Sequence, residues 1–128
     1  MKDYKRVYDE DVMFNSTNLA QKIYEQPQKT AKWAWWLREA QQEYNNYAGQ
    51  KEEFLAKIVS EILAQSDTTL TKMTAEKMAN AHPAWKEYQK RLKTKSIDLE
   101  YIAHAYENIK FLNGSLKTLV DFLKMESI

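Results

Sequence analysis

Residues 85–109 read WKEYQKRLKTKSIDLEYIAHAYENI, and the spacing within them decides the fold. Trp85, Tyr88, Leu92, Lys95, Leu99, Ile102, Tyr106 and Ile109 follow one another at steps of three and four. Such a series is the seam of a helix that lays one stripe against a partner helix. A single lysine, Lys95, interrupts it. Upstream, Trp33, Leu37, Ala40, Tyr44, Tyr47, Phe54, Ile58 and Ile62 form a second seam, again interrupted once, at Lys51. Two such stripes predict an all-α fold: a long antiparallel, coiled-coil-like helical hairpin with short helices at both ends.

The boundaries come from caps and breakers. Ser16 or Thr17 is a plausible N-cap for a short helix over about 16–26, which Pro27 stops. The first long helix runs from about 28 to 64. A connection follows over 65–84, where Thr74 to Ala81 has room for a short helix. Pro83 suits the start of the second long helix, about 85–112. Asn113-Gly114 reads as a stop, with Ser115 capping a last helix over about 115–125. A turn near residue 74 would place Lys51 across from about residue 97 and Lys95 near Glu53. The two seam lysines would then share one polar layer with Glu52 and Glu53.

Composition narrows the classes. At 128 residues the chain is expected to form a single domain. Two glycines and two prolines are too few for the turns of an all-β protein. With no cysteine, disulfides and thiolate metal sites are excluded. A net charge of +1 argues against coating duplex DNA by charge alone. No apolar run approaches the ~20 residues that span a bilayer, so no membrane role is expected. Met1-Lys2-Asp3-Tyr4-Lys5-Arg6 leads into acids, and no signal peptide is expected. Asp9-Glu10-Asp11 reads as a solvated tail or a partner contact.

Chemistry-bearing patterns are sparse. There is no cysteine nucleophile, no G-x-S-x-G and no glycine-rich phosphate loop, so no enzyme and no cofactor is expected. His104 lies between Glu100 and Glu107, but His82 is the only other histidine, and no metal site is expected. The sharpest feature is the basic stretch 86–95. Lys86, Lys90 and Lys93 share a helix face, flanked by Arg91 and Lys95, and such a stripe suits a phosphate backbone. A solvated helix face is the plainer reading. Trp33-Ala34-Trp35-Trp36 crowds three indoles into four positions, so all three cannot face one partner. Two helices bury only one stripe each, while 44% of the chain is hydrophobic. Trp35 and Trp36, with the stripe Leu116, Leu119, Val120 and Leu123, are therefore expected to be covered by other subunits of a homo-oligomer.

Asp11-Val12-Met13-Phe14-Asn15-Ser16-Thr17-Asn18-Leu19, Lys32-Trp33, the long helix through Gln50-Lys51 and the closing segment Phe111 to Phe122 resemble, in order and spacing, the UvsY recombination mediators of tailed phages. The resemblance implies a small helical protein that assembles into a ring of about six or seven subunits. It implies binding to single-stranded DNA and help in loading a RecA-type recombinase onto strands held by the phage single-strand-binding protein, in the cytoplasm of an infected bacterium. It also implies that the C-terminal segment supports oligomerisation. Where the family has a basic pair late in the first long helix, this chain has Lys57 alone, and the charge of 86–95 is the candidate replacement. A coiled-coil adaptor or structural phage protein with no nucleic-acid role would explain the heptads equally well, without needing that basic cluster.

Overall fold

The computed structural model describes residues 3–13, 19–66 and 70–126, with side chains described for these except at 19–23, 120 and 126. Among them are five helices and no strand: α1 (Tyr4–Val12), α2 (Leu19–Ala48), α3 (Lys51–Gln65), α4 (Lys72–Asn80) and α5 (Pro83–Glu126). The fold is all-α. Length predicts one domain; the contacts within the chain gather into two compact units, residues 1–40 with 99–128 and residues 41–98. The helices α2 and α5 each contribute to both.

In the first unit, Trp33, Ile102, Ala105 and Ile109 are buried together, and Tyr4, Val7, Tyr8, Val12, Trp36, Leu37, Ala40 and Tyr106 pack around them. The helix α1 begins at Asp3, whose side chain accepts from the Arg6 amide. It is pinned through Asp11, which is 8% exposed. The Trp33 indole N–H donates to the Asp11 carboxylate at 2.8 Å, and the Lys32 ammonium lies 2.7 Å from the same oxygen. The acidic run is thus no solvated tail at Asp11: its last member is a clamp.

In the second unit, Ile58, Ala79, Trp85 and Tyr88 form the core, with Tyr47, Phe54, Leu55, Val59, Ile62 and Leu92 against it. Thr71 caps α4 by accepting from the Thr74 amide, and α4 packs back on α3 with Ala75 and Ala79 fully buried. At the head of α5, the His82 imidazole accepts from the Ala84 amide at 3.0 Å, which caps the helix just before Pro83. Glu43 meets Lys95, Tyr47 meets Tyr88, and Phe54 meets Trp85, so α2 and α3 run antiparallel to α5 here.

Four boundaries differ from the spacing-based expectation. Ser16 and Thr17 lie outside the described residues, and the short first helix is instead part of α2, which passes through Pro27. Proline removes one backbone bond there, yet Gln26, Thr30 and Trp33 keep one inward face across it and Pro27 itself points to solvent. Conversely, the helix expected over 28–64 is cut after Ala48. The Tyr47 carbonyl accepts from the Tyr88 hydroxyl and the Gln50 amide, and Gly49 closes the last turn on Asn45. The third difference is α1 itself, which was not expected. The fourth is Gly114, which does not stop α5: no glycine has a positive φ among the described residues, and the Thr118 hydroxyl donates to the Gly114 carbonyl.

The register also differs. Lys95 pairs with Glu43 at 2.5 Å, not with Glu53, and lies 5.3 Å from the Tyr47 ring centre. Lys51 is exposed at the first position of α3, so the two seam lysines do not form one polar layer. The pairs Glu43–Lys95, Tyr47–Tyr88 and Phe54–Trp85 are centred about five residues before the turn expected near residue 74, and that displacement is the shift.

A Cβ added at Gly114 meets nothing within 4 Å, whereas one at Gly49 sits 3.1 Å from the Asn45 carbonyl oxygen. Gly114→Ala is expected to raise the unfolding free energy by about 0.5–1 kcal/mol, since it removes helix-interior glycine at no steric cost. Gly49→Ala is expected to give no gain. Chemical denaturation of the two variants beside the parent checks the pair.

Candidate nucleic-acid interface

The basic stretch occupies the first turns of α5 in the second unit. Helical geometry spaces Lys86, Lys90 and Lys93 over roughly 10 Å of axis, all three exposed. None of them forms an ion pair among the described residues. Arg91 is exposed and held 3.2 Å from the Glu87 carboxylate one turn back. An exposed pair of this kind contributes little and leaves the guanidinium able to take another anion. Lys95 is different. Its ammonium is engaged by Glu43 and the Tyr47 ring, and its side chain is only 27% exposed, so it braces the hairpin and is poorly placed to meet a ligand.

The structure brings Lys57 to the same neighbourhood through Phe54. A shallow recess of about 220 Å³ is lined by Tyr47, Phe54, Ala84, Glu87, Tyr88 and Arg91. A second, of about 310 Å³, is lined by Gln50, Glu53, Phe54 and Lys57. Phe54 borders both, the first with Arg91 in its lining and the second with Lys57. Behind the Phe54 ring lies an aromatic array: Tyr47 on Tyr88 at 4.5 Å, Phe54 on Tyr88 at 4.8 Å and Trp85 on Tyr88 at 5.6 Å, each pair within 19° of parallel. Burial pushes the Tyr88 phenol above its usual value of 10.0, and neighbouring Tyr47 adds to the effect. The array was not legible as a unit in the sequence. Its members Tyr47, Phe54, Trp85 and Tyr88 were all on the seams, but pairing them needs the register.

The residues expected at a subunit interface divide. Trp36 packs within its own chain, 4.9 Å from Trp33 and 5.7 Å from Tyr4, under the Lys32 ammonium. Leu116 is 2% exposed and has almost no surface left to offer. Trp35 at 56%, Leu119 at 39% and Leu123 at 47% remain exposed, joined by Phe122 and Met125. The Val120 side chain lies outside those described.

His104 faces Glu100 at 3.8 Å on an exposed surface, and no group of three or more His, Asp or Glu able to hold a metal occurs among the described residues. No helix among them is long and apolar enough to cross a membrane.

An all-helical hairpin of this size has solved counterparts among proteins of DNA recombination. No family model and no curated protein matches the chain. Two crystal structures of the bacteriophage T4 recombination mediator protein UvsY are similar to it along their whole length. One has a TM-score of 0.78 at 19% identity, covering 98% of this chain and 99% of that one. The other, in a different lattice, has a TM-score of 0.76 at 18% identity, covering 100% and 99%. The likeness the sequence resemblance implied therefore stands at the level of fold.

Proposed function

We propose that this chain is a recombination mediator: a non-enzymatic protein that binds single-stranded DNA and helps load a RecA-type recombinase onto strands covered by a single-strand-binding protein. The observation that carries this reading is the whole-length likeness of fold to a recombination mediator at a TM-score of 0.78. The exposed, unpaired ladder Lys86, Lys90 and Lys93, with Arg91 and Lys57 nearby, supplies a surface for phosphates. No array of base-edge donors accompanies it among the described residues, so the reading is of backbone binding without sequence preference.

Assembly into a ring-shaped homo-oligomer of about six or seven copies belongs to the same proposal. Exposed Trp35, Leu119 and Leu123, continued by Phe122 and Met125, are apolar surface that further copies would cover. A ring multiplies a weak patch by its copy number, so each subunit can bind feebly while the assembly holds the strand by avidity.

The test is fluorescence anisotropy of a labelled single strand and its duplex across a salt series, followed by recombinase filament formation on strands precoated with single-strand-binding protein. The expected result is preference for the single strand, a steep negative log–log salt slope and faster filament formation. Oligomeric protein that binds no strand at low salt would favour a structural adaptor instead.

A further inference from the structure

We propose that the recess between Tyr47, Phe54 and Arg91 receives an unpaired nucleobase, which stacks on the aromatic array while its phosphate lies against Arg91. The inference rests on the single-strand reading above and adds to it a base-contacting site, where that reading needs only the backbone. The rings are already parallel: Tyr47, Phe54 and Trp85 each lie within 19° of the plane of Tyr88. A further planar ring extends such a stack without reorienting any member, so little ordering remains to oppose it. Tyr88 and Trp85 are buried, but Tyr47 and Phe54 are only half-buried and line the recess from one side. Ala84 is exposed and belongs to the lining, as do Glu87 and Arg91, which are paired at 3.2 Å. Stacking of this kind is tolerant of base identity, because every base offers a planar face. A fixed aromatic array beside a cation is therefore suited to unpaired strands and unsuited to a duplex, whose bases are already stacked.

The probes are two labelled oligonucleotides of equal length, one natural and one carrying abasic residues through its central half. The full-length protein is expected to bind the abasic strand roughly 5-fold or more weakly for each base engaged, with the same salt slope because the phosphates are unchanged. Ala84→Leu fills the recess from an exposed position and is expected to bring the natural strand down to the abasic value while leaving the abasic strand unaffected. Phe54→Leu is a second variant with the same expectation, its fold checked by circular dichroism. Equal binding of the two strands by the parent protein would overturn the stacking site and leave backbone binding intact. So would discrimination that survives in both variants, since the bases would then be met elsewhere. Binding of neither strand would overturn both the site and the reading beneath it.

Discussion

Trp33→Ala is expected to lower the unfolding free energy by about 3–5 kcal/mol, the usual range for emptying a large aromatic from a packed core. Trp33 is fully buried at the centre of the first unit, with Tyr4 and Tyr8 from α1, Trp36 from α2 and the α5 residues Ile102, Ala105 and Ile109 around it. Truncation also removes the indole donor from Asp11. The carboxylate keeps the Lys32 ammonium, so the polar part of the loss is smaller than that of stranding a charge alone. Trp33→Phe weights the two contributions differently, because it retains most of the volume and removes the N–H with the small part of the ring system that carries it. Its cost is expected near 1–2 kcal/mol. Urea denaturation of both variants checks this, and a Trp33→Ala protein as stable as the parent would contradict the placement of the indole.

The second large effect concerns affinity. Reversing Lys86, Lys90 and Lys93 together to glutamate is expected to weaken single-strand binding and to flatten its log–log salt slope by about 2, three phosphate contacts at roughly 0.7 each. All three side chains are exposed and lack ion-pair partners among the described residues, so the unfolding curve should move by no more than about 0.5 kcal/mol. The separation of the two readouts gives the experiment its force. Unchanged affinity with an intact fold would remove the α5 ladder from the binding surface and leave Lys57 on α3 as the residue to reverse next.

The seams were readable because burial imposes them. Every seam position from Trp33 to Ile62 and from Trp85 to Ile109, Lys51 excepted, is buried or half-buried. The breakers were misread because a local preference of about 1–3 kcal/mol is smaller than what packing supplies. Pro27 and Gly114 sit inside continuous helices, and at the real interruption after Ala48 the Tyr47 carbonyl accepts from a hydroxyl 41 positions away, that of Tyr88. The helix α1 did carry a signal: Asp3 as a cap, then Tyr4, Val7, Tyr8 and Val12 on one face. It was masked by the acidic run, of which Asp9 and Glu10 are exposed while Asp11 is turned inward to Trp33. At the candidate site, the basic ladder was legible as a pattern. The engagement of Lys95 by Glu43 and the place of Phe54 in the linings of two recesses were not, since both depend on a register that caps and breakers do not fix.

The brevity of α1 has one more consequence. Nine residues are too few to stay helical alone in water, where even favourable sequences need about 12–15. Released from Asp11's partners and from the Trp33 ring, this segment becomes coil and does not swing away as a rod. Its folding and its docking are one equilibrium, a case of coupled folding and binding within a single chain. Any molecule that competes for the Trp33 surface must therefore displace about two and a half folded turns, and any molecule that captures the released segment meets an unstructured peptide whose ordering it must supply.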